Sequence, residues 1–421
     1  MRKALGVGLL CLFLAGTACS GEKIRVLLGM NAWADQVKLL IPEFEKKTGI
    51  AVDFEIFHED QLSQKLAVEL TAGTDVDVFI MRPQNECKLF GRNGWCVDLT
   101  PYLEKDKEFD WEDVTPGARD CVTYDGKVLG VPTSNESHVL FYRKDIFEEK
   151  GVKVPTTLAE LDEAAKKLTD RDNDFFGIVL RGQRSALITQ FSSFLYSMGG
   201  NWFDAASNTA TFDSPEALEA IDYFGRMQRL YGPPGGPNNS WPQNVAIYQQ
   251  SKAAMYIEPS AHYPMLLDSG KSPLAAKTGM APFPAGPAGA KPYYSTAWAL
   301  SIYTKSKNKD AAWQFVRYFS DKKMAAYLQG EFGYQGARVS AFSDPEGVKN
   351  LPPELIAVLE KQAPYGIGYD RPPVIAVQEA RDLLGEAVVV SILGGDYKAA
   401  AKTANEKFQV LLDREKADSG K

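Results

Sequence analysis

Residues 24–81 read IRVLLGMNAWADQVKLLIPEFEKKTGIAVDFEIFHEDQLSQKLAVELTAGTDVDVFIM, and the spacing inside this stretch decides the fold class. The aliphatic run 24–28 predicts a strand. Val37, Leu40, Ile41 and Phe44 follow at helical spacing, and Gly49 after Lys46 and Lys47 supplies a stop. Val52, Phe54 and Ile56 alternate with Asp53 and Glu55, as a strand does. Leu62, Leu66 and Leu70 make a second helical stripe ended by Gly73, and DVFIM at 77–81 predicts a third strand. Strand, helix, strand, helix, strand at this spacing means an α/β class with a parallel sheet. Ligands gather beyond the ends of such strands, here around 31–33, 57–59 and 82–85.

Upstream, residues 1–20 read MRKALGVGLLCLFLAGTACS. Arg2 and Lys3 give a positive start, 4–14 is apolar, and small residues lead into Cys19. The apolar run is too short for a permanent membrane span. The pattern resembles a bacterial lipoprotein signal, although Gly16 stands where an aliphatic residue is usual. It predicts a signal peptide over 1–18, cleavage before Cys19 and a lipid anchor on the Cys19 thiol. The site of action is then the cell envelope, on a periplasmic or extracellular membrane face.

The 421 residues exceed one ordinary domain, so two lobes are expected. With 45% hydrophobic residues the chain can bury sizeable cores. The formal charge of −7 becomes about −9 once Arg2 and Lys3 leave with the signal. Basic residues are scattered, which argues against nucleic acid as a partner. Past the signal and Cys19, three cysteines remain: Cys87, Cys96 and Cys121. An exported compartment permits a disulfide. Cys87 and Cys96 flank a short Gly-containing loop and form the first candidate pair, with Cys96–Cys121 as the alternative. No CxxC occurs and only His58, His138 and His262 are present, so neither a metal site nor a cofactor is indicated.

Downstream, helices are expected over 145–150, 158–168, 187–198, 215–231, 245–250 and 310–319. Strands are expected over 139–142, 177–180, 253–257 and 297–303. Thr157, with Glu160 three residues on, has the pattern of a helix-capping box. Aromatic and polar residues collect at loop positions: Trp33, Glu59, Asn135, Glu136, Trp202, Trp241, Tyr294 and Trp298. A polyhydroxylated ligand uses such a mixture, packing C–H faces on rings and pairing hydroxyls with fixed polar groups. Glu59, Asp77 and Glu136 could be read as a glycosidase acid pair, but nothing local singles out a proton donor. GxSxG, HExxH, Walker and dinucleotide patterns are all absent. The chain therefore reads as a binding protein, not an enzyme.

Several segments carry a family resemblance. YDGKVLGVP at 124–132, LFYRKDIF at 140–147, GVKVPTTL at 151–158, KAAMYI at 252–257, FPAGPAG at 283–289 and KSKNKDAAWQF at 305–315 occur in matching order. Together they resemble the extracellular solute-binding proteins of carbohydrate ABC transporters, the maltodextrin- and glycerol-phosphate-binding superfamily. The stretches around 135–137 and 199–203 look closer to its polyol and monosaccharide binders. Two departures stand out: Tyr293 and Tyr294 replace commonly found glycines, and Gly336-Ala337-Arg338 lacks the usual Pro.

The resemblance implies a two-lobed periplasmic-binding-protein fold of type II, with discontinuous lobes and a central ligand cleft. Lobe 1 would comprise 24–136 and 295–344, lobe 2 would comprise 140–291 and 347–421, and hinge crossings would fall at 137–139, 292–294 and 345–346. It implies capture of a sugar or polyol by lobe closure and delivery to the transmembrane subunits of an ABC permease by a monomeric receptor. Its implied ligand contacts are Glu136, facing sugar hydroxyls, with Trp33, Trp202 and Trp298 as stacking rings. Asp77, Glu258 and Arg338 join Glu59, Asn135, Trp241 and Tyr294 as further contacts. Two other readings fit the same residues: an adhesin or scaffold lipoprotein that has lost its ligand, and a secreted carbohydrate-active enzyme.

Overall fold

The computed structural model describes residues 22–267, 269–270 and 272–419, so the 1–18 segment and Cys19 lie outside the described residues. Ten strands carry the architecture: β1 Lys23–Gly29, β2 Ala51–Phe57, β3 Val78–Met81, β4 Val131–Pro132, β5 Glu136–Arg143, β6 Phe176–Val179, β7 Ala253–Pro259, β8 Thr278–Pro282, β9 Tyr294–Ser295 and β10 Ala299–Ile302. The first sheet runs β2-β1-β3-β10-β4. Its β1 is parallel to both β2 and β3, with Val26 opposite Phe54 and Val78. In the same sheet β10 returns antiparallel between β3 and β4. The second sheet runs β8-β5-β7-β6, and β9 also pairs with β5.

Three helices connect and flank the first strands: α1 Ala32–Thr48, α2 Glu59–Ala72 and α3 Pro83–Arg92. Asn31 caps α1 by accepting the Ala34 N–H at 2.9 Å. Gly49 ends it at φ 75°, a conformation that favours glycine. The helical stripes of the sequence become the core: Val37, Ile41, Phe44, Leu62, Leu66 and Leu70 are all buried. Each such side chain contributes about 1.5–3 kcal/mol by leaving water. Phe44 meets Phe315 edge-on at 5.5 Å, which ties α1 to the later helix Lys309–Ser320. Residues 271 positions apart in sequence thus share one core.

The second sheet has apolar clusters on both faces. The helix Leu158–Leu168 begins with the capping box read from Thr157 and Glu160. The helix Leu187–Met198 is buried along its whole length, and the C-terminal helices Val377–Ile392 and Tyr397–Ser419 bury Leu384, Val388, Phe408 and Leu411 with it. Strand β5 joins the halves. Its Glu136 and Ser137 pair with Ser295 and Tyr294 of β9, and its later residues enter the second sheet.

The expected Cys87–Cys96 disulfide is absent: Cys87, Cys96 and Cys121 are free and buried. Cys87 faces the core from α3, and Cys96 sits at an isolated bridge to Tyr303, so both side chains are committed to packing. Short sequence separation put them near each other without aiming them together. Burial pushes the Cys87 thiol up to about 12, so these thiols are poor nucleophiles in the native state. Alkylation of native protein should leave all three unmodified, and alkylation in denaturant without reductant should modify all three. A mass deficit of two labels would establish a disulfide.

Candidate functional site

The site forms where the C-terminal ends of β1 and β3 meet the start of β5. Gly29 ends β1, and a Cβ there would stand 2.5 Å from Cζ3 of Trp298. Glycine is therefore required for the indole to close over the strand end. Trp298 remains partly exposed, and its carbonyl accepts the Thr133 N–H at 2.9 Å. Gly29→Ala should cost about 1–3 kcal/mol by overpacking. A lowered melting midpoint with altered tryptophan emission is the expected reading; an unchanged midpoint would show that the indole swings aside freely.

Asn135 follows β4. Its N–H donates to the Gln335 carbonyl at 3.0 Å, and its Nδ2 donates to Thr115 Oγ1 at 2.8 Å. Gln335 in turn accepts the Ser260 hydroxyl at 2.6 Å, and Ser260 also accepts the Ser137 N–H. These bonds reach from the first sheet to the end of β7 in the second.

Charged groups line the second-lobe side. Arg181, after β6, makes a two-pronged pair with Glu258 of β7, with Nε to Oε1 at 2.7 Å. Gln190 and Gln228 hold its main chain. Asp370 grips Arg371 in the same two-pronged manner. Arg371 Nη1 then donates to Asn85 of α3 at 2.7 Å, crossing between lobes. Burial pushes Asp370 up, but the Arg371 guanidinium more than offsets it and holds the carboxyl below its usual range. Glu136 differs from both acids. It is partly exposed and has no ion-pair partner within 4 Å among the described residues. Its carboxyl is pushed up to about 7 by burial and by Asp370, against the pull of Arg181 and Arg371.

Several buried polar atoms here lack a partner: Asn31 Nδ2, Asn135 Oδ1, Thr296 Oγ1, Gln335 Nε2 and Tyr293 Oη. In the three amides one end is fixed by protein and the other is left without a partner. Unpaired buried polar atoms are costly and rare. Their collection beside a partly exposed tryptophan and an unpaired carboxylate suits a small molecule rich in hydroxyls. Among the described residues, no group of three His, Cys, Asp or Glu side chains is placed to hold a metal ion.

Residues 32–326 match the bacterial extracellular solute-binding protein family. The chain belongs to that family. It is 28% identical over 354 residues to a mannitol-binding protein of Pseudomonas aeruginosa, covering 82% of this chain and 76% of the relative. It is 29% identical over 343 residues to an erythritol/L-threitol-binding protein of Mycolicibacterium smegmatis, covering 77% and 72%. A crystal structure of an ABC transporter solute-binding protein from Agrobacterium radiobacter K84, in complex with ribitol, superposes with a TM-score of 0.78 at 27% identity, covering 93% of this chain and 99% of that one. Members of this family bind solutes outside the cytoplasm and do not catalyse. The two-lobed α/β fold expected from the sequence is the one observed.

As a solute-binding protein, the chain corrects several candidate residues. Trp33 is buried in α1 against Phe319. Asp77 precedes β3, at the strand's opposite end, where it accepts from the Arg25 N–H, Ser306 and Asn308. Trp202 is fully buried, stacks on Phe212 and donates to Tyr196 Oη at 2.6 Å, so it belongs to the second-lobe core. Arg338 is buried over the Phe109 ring and pairs with Asp113, pinning lobe 1 together. Tyr294 turns into an apolar cluster behind β5. Glu258 is fully covered and spends both oxygens on Arg181, so it positions that guanidinium and presents no free oxygen. Trp241 is exposed beside His262. The Glu59 side chain lies outside the described residues. Asn135, Glu136 and Trp298 remain candidate ligand contacts.

Arg181, Tyr293, Asp370 and Arg371 were not among the candidates. Arg181 sits just past the end of β6, where no local periodicity singles it out. The Asp370-Arg371 pair, inside GYDRPP, carries no local periodicity.

Proposed function

We propose that this chain is the receptor of an ABC importer for a short polyol or a monosaccharide. It would be monomeric and held at the membrane by lipid on Cys19. Lobe 1, over 24–136 and 295–344, would supply Trp298 for the ligand's C–H face and the free ends of Asn31 and Asn135. Lobe 2, over 140–291 and 347–421, would supply Arg181 and Arg371, with Glu136 at the crossing. The observation that carries this reading is the set of unpaired buried polar atoms on the segments next to Trp298 and Glu136, together with the unpaired Glu136 carboxyl. The mannitol, erythritol and ribitol named for similar proteins support the ligand class. Calorimetric titration with erythritol, ribitol, mannitol, glucose and maltose tests it. Saturable binding of at least one of the first four is expected, with maltose much weaker. No binding by any would favour a scaffold that has lost its ligand. Intact mass of detergent-extracted protein should show an acylated N-terminal Cys19.

A further inference from the structure

Resting on that reading, we propose that Tyr293 closes one end of the site and limits the ligand to a single short chain or ring. The Tyr293 ring stacks on His138 at 4.8 Å and 16°, and His138 stacks on Phe283 at 5.1 Å and 20°. Three rings in a row leave the phenol no direction in which to swing. The main chain is equally fixed. The Tyr293 N–H donates to Ser193 Oγ at 3.0 Å, and its carbonyl accepts the His138 N–H at 3.1 Å. Ser193 Oγ also lies 2.8 Å from His138 Nδ1, so one hydroxyl ties ring and backbone together. On the other side Ile367 bonds to the carbonyl of Pro292 and the N–H of Tyr294.

This wall ends in a polar tip. Tyr293 is 0% exposed and its Oη has no partner. The charges it faces are those of Glu136 and Arg181, which the proposed site uses, and of Glu258 and Asp370, which hold the arginines of that site. A buried hydroxyl among these charges, itself unpaired, is placed to meet the terminal hydroxyl of a ligand. The ring behind it takes the volume a second sugar residue would need.

The test is calorimetry on the parent, Tyr293→Phe and Tyr293→Ala with erythritol, ribitol, mannitol and the disaccharide alcohol maltitol. The parent should bind one of the first three and discriminate against maltitol. Tyr293→Phe keeps the wall and loses the tip. Its affinity for the polyol bound by the parent should fall about tenfold, while the melting midpoint of the empty protein holds or rises. Tyr293→Ala removes the wall and should shift the maltitol-to-polyol affinity ratio toward maltitol by about tenfold or more. If Tyr293→Ala fails to fold, Tyr293→Phe decides. A parent that binds none of the probes overturns this inference, and one that also fails with glucose overturns the proposed ligand class with it. A parent that binds, with Tyr293→Phe within about twofold of it, overturns the role of Tyr293 alone.

Discussion

Replacing Glu258 with Ala is expected to destabilise the second lobe by about 3–5 kcal/mol, because it strands a buried guanidinium. Glu258 is 0% exposed and Arg181 8%, so neither charge has bulk water as an alternative partner. The main chain of Arg181 is held by Gln190 and Gln228, which prevents the side chain from leaving with its loop. Glu258→Gln keeps the shape and one acceptor oxygen and should cost less. Trp202 sits in the core of the same lobe, so its emission during urea unfolding reports the relevant transition. The first-lobe core is separate, and its transition should not move. A Glu258→Ala protein within about 1 kcal/mol of the parent would mean that Glu136 captures Arg181. The double variant Glu136→Ala, Glu258→Ala would then expose the loss.

This pair also marks the boundary of what the sequence discloses. The first three strands, their helices and the Thr157 cap were legible because each depends on neighbours within a few residues. The strand ends beyond which a ligand is expected were legible for the same reason: Asn31 and Asn85 lie there. Which side chain faces the cleft was not. Tyr293 and Tyr294 stand one position apart, and in extended chain that single step reverses the face. Only the pairing of Tyr294 with Ser137 fixes the register. Trp33 and Trp202 stood beside turn-forming residues but are core, since burial of an aromatic is decided by elements distant in sequence. Asp77 and Arg338 show that a charged residue near a strand end can serve a polar network inside one lobe. Arg371, gripped by Asp370, reaches Asn85 across 286 positions, a separation no local pattern reports.

Ligand affinity should rise with pH through neutrality, and Glu136 should be the cause. The empty protein holds this carboxyl at about 7, well above the value near 4.3 of a free glutamate. For stability the sign follows directly. The fold favours the protonated form, so Glu136's contribution is complete below about pH 4.3 and is lost as pH rises through 7. Ligand hydroxyls act in the opposite sense. As donors they favour the carboxylate, which accepts two of them, so binding lowers the carboxyl's value and releases a proton. Affinity should be greatest above pH 7 and weaken by up to about tenfold per unit below it, until the bound-state value is reached. The neighbouring histidines do not supply this slope: burial and the Arg181 charge hold His262 at about 3, and His138 is pushed well below its ordinary value by the same causes. Asp370 and Glu258 are committed to their arginines. Glu136→Ala should cost about 1–3 kcal/mol of binding at pH 8, a dissociation constant about 5- to 150-fold weaker. Glu136→Gln should retain part of that affinity and flatten the pH profile. Calorimetry in two buffers of different ionisation enthalpy reads the released proton directly. A slope that persists in Glu136→Gln, or a Glu136→Ala protein within about twofold of the parent, would place the ligand elsewhere in the cleft.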